Sequence, residues 1–595
     1  MNFSFRYKIQ KESHIFFYAV LTGIIAGLIA MLFTFLLVHF EEFFSSLNGF
    51  QIVNGDSLKQ KRDFIFSHPV QASMVVLFPA LGGLICGLVI YFFCQEAEGT
   101  GTDEMINAFH YNEGKMNTRV PFFKSIATIF TLSSGGSGGR EGPISQIGAG
   151  IGVIMANLAG AGARSRRALM LSGTAAGLGA AFKTPLGGAF TAVEMVYKKD
   201  IESDALIPCF ISSLTAYLVF ISYAGSQPLI PIQQPEFFQI KEIVFYLLLG
   251  FLCYVFGFLF IKGFRDTTRL VKSITFPIWL KPAIGGLLVG IIALLFFETG
   301  GTGHSYLQQV ISGKLPSFFS GIGILNIMLS LLLIAFIKIV TTGLTIGSGG
   351  SAGIFGPSLF IGAMLGAGVG VIARYFLNDP NVTIVTYMVV GMGAFYAGVA
   401  NAPIAGIVMT CEMTGSYALL PPLILVSIFT FILSRQISFY KSQVDTRFDS
   451  PAHVWDMKLD VIERVTIKDY FPEFRFLAVI REDYSYADIR EIANYYHSSD
   501  FLVVRHDLSY AGLLSLRKID EDLLKISDQN SVTAIDLADT SVPFVFVDQS
   551  LGSVMKIIMK FDVDKVAVCE PDRRTIGYIR SRDVFEAYSR QTAKK

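Results

Sequence analysis

Ser134-Gly135-Gly136-Ser137-Gly138-Gly139-Arg140-Glu141-Gly142-Pro143-Ile144-Ser145-Gln146-Ile147-Gly148 has a second copy later in the chain, Gly350-Ser351-Ala352-Gly353-Ile354-Phe355-Gly356-Pro357-Ser358-Leu359-Phe360-Ile361-Gly362. Pro143 falls on Pro357 and Gly148 on Gly362, both at an offset of 214 positions. Each copy sets small residues ahead of a proline and then an apolar helical pattern. Proline suits the first turn of a helix, where its missing N–H is no loss and its φ is preset. The glycines before it let the backbone bend tightly enough to aim N–H groups inward. A helix that starts inside a membrane points those unpaired N–H groups, and a partial positive charge, at whatever lies before it. Two such starts in two repeated halves are what an intramembrane anion site requires.

The surroundings are apolar throughout. The 595 residues are 52% hydrophobic and 16% charged, with a mean hydropathy of +0.52, against about 25% charged residues in soluble domains. A formal net charge of +1 gives no electrostatic case for nucleic acid or acidic partners. Phe16–Val38, Ala72–Phe93, Ile240–Ile261 and Ile322–Ile339 reach spanning length. Pro143–Leu158 and Pro357–Ile372 are shorter and interrupted by glycine, which suits broken or tilted helices buried among others. The first stretch follows Arg6, Lys8 and Lys11 and is too long for a signal-peptide core, so a retained helix with a cytosolic start is expected. Cys86, Cys94, Cys209, Cys253, Cys411 and Cys569 are scattered without a CxxC pair and read as small buried hydrophobes, not as a disulfide framework or a zinc site. There is no metal motif, no histidine cluster and no Ser-His-Asp set at recognisable spacing, so an enzyme is not expected.

Further repeats fix the halves. Ala181-Phe182-Lys183-Thr184-Pro185-Leu186-Gly187-Gly188 matches Val399-Ala400-Asn401-Ala402-Pro403-Ile404-Ala405-Gly406 at an offset of 218, and the match continues to Glu194-Met195 and Glu412-Met413. Gly99-Thr100-Gly101 is echoed by Gly301-Thr302-Gly303 at an offset of 202. Two homologous halves, about 20–225 and 235–445, are the economical reading. Glu194 and Glu412, near the ends of apolar helices, are expected to satisfy backbone N–H groups. The character changes near Lys441–Asp449, giving a membrane domain at 1–445 and a soluble domain at 446–595. In the latter, β-rich runs at Phe501–Val504, Phe544–Val547 and Lys565–Cys569 alternate with amphipathic stretches, the pattern of an α/β appendage.

Gly139-Arg140-Glu141-Gly142-Pro143, Gly353-Ile354-Phe355-Gly356-Pro357 and, more loosely, Gly99-Thr100-Gly101-Thr102-Asp103 together resemble the CLC family of chloride channels and proton-coupled chloride transporters. The resemblance covers about residues 15–445. It implies an all-α polytopic membrane protein of two inverted repeats of broken and tilted helices, a homodimer in the lipid bilayer with one path for small anions in each subunit. It places the central anion against the N–H groups of Ile354 and Phe355, the Thr100 side chain and Tyr440, with Gly139, Arg140, Gly142 and Gly353 forming the two helix starts. Glu141 matches the family's gating glutamate. A carboxylate is favoured at a helix N-terminus and so competes with the anion; once protonated it loses its reason to stay. Lys124 matches a lysine that adds positive potential near the path.

Three departures matter. Met195 stands where the family's transporters usually carry an internal glutamate that passes protons. Methionine cannot titrate, which favours a passive channel, with a proton-coupled antiporter as the alternative. Thr100 replaces the usual serine and keeps the hydroxyl, so chloride is the expected ion and nitrate stays open. Asp103 replaces a proline, and Asp103 or Glu104 is a candidate to stand in for the missing proton relay, against the plainer reading of a solvated loop face. The tail resembles a pair of CBS domains, about 460–537 and 538–592, through Gly512-Leu513-Leu514-Ser515 and Gly577-Tyr578-Ile579-Arg580-Ser581-Arg582-Asp583. Nucleotide-binding copies usually keep both a hydroxyl and an acid. Here the first keeps Ser515 but has Lys518 at the acid, and the second keeps Asp583 but has Arg580 at the hydroxyl. A ligand-free module that stabilises a dimer or acts on gating is therefore preferred over adenine-nucleotide binding. No other cofactor is implied. Both termini are expected in the cytosol and the chain in a cell membrane.

Overall fold

A computed structural model describes residues 3–48, 65–232, 239–316, 318, 323–379, 381–453, 465–470, 479–496, 500–516, 532–561, 563, 565–580, 583–584 and 587. The first half carries α1 (Phe3–Asn48), α2 (Pro69–Phe93), α3 (Thr102–Tyr111), α4 (Val120–Ser133), α5 (Glu141–Leu158), α6 (Ala163–Phe182), α7 (Pro185–Glu194) and α8 (Leu206–Ala224). The second carries α9 (Ile243–Ser273), α10 (Lys281–Leu295), α11 (His304–Ile311), α12 (Ile324–Gly347), α13 (Phe355–Leu377), α14 (Ile384–Ala400), α15 (Pro403–Thr414) and α16 (Leu420–Ser434). Each of α1–α8 has its counterpart, in order, in α9–α16.

Seven helical stretches among the described residues are long and apolar enough to cross a membrane. Three extend the expected spans to Ile15–Leu47, Pro69–Phe93 and Ile240–Ser273, and Ile324–Gly347 runs beyond the expected end at Ile339, while Ile322 lies outside the described residues. Most of their apolar surface faces outward, with 33–44% of residues buried, whereas α13 is 89% buried. A helix that is apolar all round and buried is central. The expected short helices are α5, which begins two residues ahead of Pro143, and α13, which begins two ahead of Pro357. The six cysteines are buried and free.

Small residues let the central helices touch. A side chain on Gly148 would meet the carbonyl oxygen of Gly173, and one on Gly173 that of Gly148; Gly362 and Gly391 repeat the relation in the second half. With no water in the bilayer to drive association, such close backbone packing is a main source of helix–helix affinity. Gly173→Ala forces α5 and α6 apart and is expected to destabilise the protein by about 1–3 kcal/mol, read as a lower unfolding midpoint in detergent.

The halves are also clasped to each other. Glu194, at the end of α7, accepts from the N–H groups of Ile404 (3.1 Å) and Ala405 (2.7 Å) at the start of α15. Glu412, in α15, accepts from Leu186 (3.2 Å) and Gly187 (2.7 Å) at the start of α7. These are the N–H groups a helix start leaves unpaired, and each half supplies the cap for the other.

By its contacts the chain forms two compact units, Met1–His453 and Val454–Lys595. The first runs past the boundary expected at 445. Residues 441–453 are polar, yet they are docked: Arg447 pairs with Asp204 (2.6 Å) and His453 with Glu202 (2.7 Å). Between them, Lys198 and Lys199 hold the Asp445 carboxyl down to about 2 by hydrogen bonding and charge.

The second unit is itself duplicated. β1 (Val479–Arg481), β2 (Asp500–Val504) and β3 (Tyr510–Ser515) form one sheet; β4 (Val545–Phe546), β5 (Lys565–Cys569) and β6 (Thr575–Arg580) form another. In each, the first pair is parallel and the second antiparallel, and the register breaks at the same place, Val503/Val504 and Val568/Cys569. The hairpin tips pair at Ser509 and Arg574. This arrangement is compatible with a CBS pair.

Candidate functional site

The two quoted runs cross at their glycines. Gly139 and Gly353 form an antiparallel bridge in which each N–H donates to the other's carbonyl, at 2.8 and 2.6 Å. Two residues further on in each run, Glu141 and Phe355 open α5 and α13, so two helix N-termini of opposite halves face one buried region. The glycines are sterically required: a side chain on Gly139 would overlap the Glu141 carboxylate, and one on Gly142 would meet the Thr100 carbonyl and Gly353.

Glu141 is buried, and its Oε2 accepts from the Gly356 N–H at 3.1 Å. The acid of one half thus lies at the helix start of the other, where an anion would be held. It is not committed to its neighbour, because Arg140 donates to the Ala181 carbonyl (3.3 Å) and lies over the Phe182 ring.

Behind Glu141 is a small cavity, walled by Thr102, Ser145, Met195, Ile354, Phe355 and Tyr440 among others. The Tyr440 hydroxyl faces Thr102, whose Oγ1 is 3.3 Å from Ser145 Oγ. Here the structure departs from the sequence expectation. The threonine in the wall is Thr102, the first residue of α3, while Thr100 sits in the turn before it, between Gly99 (φ 72°) and Gly101 (φ 80°). The expected Ile354, Phe355, Glu141 and Tyr440 are brought together, and Met195 presents its side chain to the same space. Gly139 and Gly353 form the crossing and Gly142 lines the cavity; Arg140 does not line it.

Lys124 is wholly buried and does not reach for a surface. Its Nζ donates to the carbonyls of Ala97 (3.0 Å) and Gly99 (2.9 Å), pinning the turn that carries Thr100. Lys338 does the same in the other half, donating to Thr299 (3.0 Å) and Gly301 (2.9 Å). Lys338 escaped the sequence reading although it stands 214 positions after Lys124, the offset of the two glycine runs. Asp103 accepts from the Ser442 N–H (2.9 Å) and so caps the segment after Tyr440. Glu104, in the same first turn of α3, is half-buried and does not line the cavity.

A family model described as voltage gated chloride channel matches residues 82–435. The chain belongs to the CLC family. Among its CLC relatives, a putative chloride channel protein ClcB-like of Ralstonia nicotianae is 30% identical over 60% of this chain and 82% of that protein. The H(+)/Cl(-) exchange transporter ClcA of Yersinia pseudotuberculosis is 29% identical over 62% of this chain and 77% of the other. Of solved CLC structures, a slow cyanobacterial Cl-/H+ antiporter superposes with a TM-score of 0.60 at 20% identity, covering 71% of this chain and 94% of its own. A eukaryotic CLC transporter gives 0.61 at 19% identity over 97% and 98% of the two chains, so the shared fold includes the tail.

In that tail, Ser515 closes β3, and the Asp583 carboxylate accepts from the Arg580 N–H (3.0 Å) and its guanidinium (3.2 and 3.3 Å). The residue that replaces the expected hydroxyl thus occupies the acid of the same motif. Lys518 lies outside the described residues.

Proposed function

We propose that this CLC protein carries chloride across a cell membrane in exchange for protons, through one path in each subunit of a homodimer, with Glu141 as the gate. The observation that carries this is the Glu141 carboxylate at the N-terminus of α13. There the acid and a chloride compete for the same N–H groups and dipole. Chloride advances when the acid leaves, and protonation is what removes its hold, so proton and anion movements are linked at one point. Backbone dipoles supply binding weak enough to escape. A passive channel is the second reading, favoured by the apolar Met195 side chain on the cavity wall. The paired Arg580 and Asp583 support a tail that acts without nucleotide. The basic N-terminal residues Arg6, Lys8 and Lys11 favour a cytosolic start, and the soluble tail a cytosolic end.

Anion and proton fluxes measured together in liposomes test the first reading. A chloride gradient that drives protons uphill supports exchange. Chloride current at zero net driving force for protons, with no proton movement, favours the channel. No anion flux sinks both.

The same reading assigns the hydroxyl donor to Thr102. Thr102→Val is expected to weaken chloride binding by about 1 kcal/mol, roughly fivefold, the value of one neutral hydrogen bond. Thr100→Val is expected to leave it unchanged. Titration calorimetry of both variants checks this, and the reverse ranking would return the role to Thr100.

A further inference from the structure

We infer that Glu104, with Gln146 at the same turn, is the inner proton-relay site of this protein, a role the untitratable Met195 cannot fill. Glu104 takes this role only within the exchange reading proposed above.

Glu104 stands in the first turn of α3, two residues after the cavity-lining Thr102. Its Oε2 is buried and meets no hydrogen-bond donor among the described residues. Gln146 stands in α5 next to Ser145 of the cavity wall, and the whole residue is buried. Its Nε2 donates to the Glu96 carbonyl (2.8 Å), while its Oε1 is buried and likewise meets no donor among the described residues. The two side chains reach the same turn: Gln146 Oε1 is 2.8 Å from where a side chain on Gly101 would begin, and the other oxygen of the Glu104 carboxylate, Oε1, is 3.8 Å from the same point on Gly99. The charged groups that bear on Glu104 are Lys124, whose ammonium is held by the carbonyls of Ala97 and Gly99, and Asp103.

An acceptor buried without a donor costs about 1–3 kcal/mol. Two of them at one turn call for protons from outside the protein's own groups, through water or as a protonated carboxyl. Asp103 differs, because its Oδ1 is already committed to the Ser442 N–H. Of the two neighbouring acids, one is a cap and the other has an oxygen to spare.

The transfer balances without any redox step. The Glu104 carboxylate takes a proton from hydronium, leaving water, and returns it to a second water that carries it toward Glu141. The Glu141 carboxylate receives it and leaves the helix start, and chloride moves the other way.

Paired chloride and proton fluxes of full-length protein in liposomes decide the matter. Glu104→Gln is expected to keep chloride flux and to lower proton flux to that of empty liposomes. Glu104→Asp, which keeps a carboxyl, and Asp103→Asn are expected to remain coupled. Proton coupling that persists in Glu104→Gln overturns the assignment. So does loss of chloride flux in both Glu104 variants, which would make the residue structural. If the unaltered protein moves chloride but no protons, the exchange reading itself falls, and Glu104 with it.

Discussion

On the exchange reading, Glu141→Gln is expected to uncouple the two ions: chloride flux persists, and proton flux falls to that of empty liposomes. Glutamine matches the carboxylate in size, and its amide oxygen still accepts from the Gly356 N–H, now 3.1 Å from Glu141. What it loses is charge and the ability to bind a proton. A hydrogen bond to a charged group is worth about 1.5–3 kcal/mol and a neutral one about 0.5–1.5, so the plug weakens by about 1–2 kcal/mol. Chloride then competes roughly 5–30-fold better for the start of α13. Chloride binding by calorimetry should tighten in Glu141→Gln while proton pumping vanishes. Uphill proton movement in the variant would show that the gate and the proton carrier are different residues.

The second large effect is structural. Glu194→Ala removes two charge-assisted hydrogen bonds at once and leaves the N–H groups of Ile404 and Ala405 unpaired at the start of α15. The expected loss is about 3–6 kcal/mol, enough to abolish recovery of folded protein for a marginally stable chain. Glu412→Ala, at the less deeply buried partner site, is expected to be milder. Thermal unfolding in detergent ranks the two. Equal midpoints for both variants and the unaltered protein would show that these caps hold nothing.

The two halves were legible because glycine, proline and glutamate repeat at near-constant offsets, and those are the residues whose backbone geometry or charge a helix start demands. The Glu141, Ile354 and Phe355 cluster followed from the same repeat. Thr102 did not. Thr100 and Thr102 stand two apart in a turn where Gly99 and Gly101 both take positive φ, and only the onset of α3 decides which hydroxyl faces the cavity. Lys338 was hidden for another reason: a lysine inside an apolar stretch reads as an interruption, and its partners, carbonyls 37 and 39 positions earlier, leave no trace in side-chain pattern. The docked segment 446–453 was assigned to the tail on composition, since polar residues that pair with Glu202 and Asp204 look the same in sequence as polar residues in water.

The clasp between Glu194 and Glu412 bears on origins. Each contact across it occurs twice with the roles exchanged, and the Gly139–Gly353 bridge joins equivalent residues. That reciprocity is the mark of an isologous interface between two copies of one chain. An ancestor of half the length, assembling in pairs, would have made the same contacts before duplication and fusion joined the copies. The connection between Ala224 and Ile243 then tethers two pieces that recognise each other without it, and the halves made as separate polypeptides in one cell carry what they need to find one another.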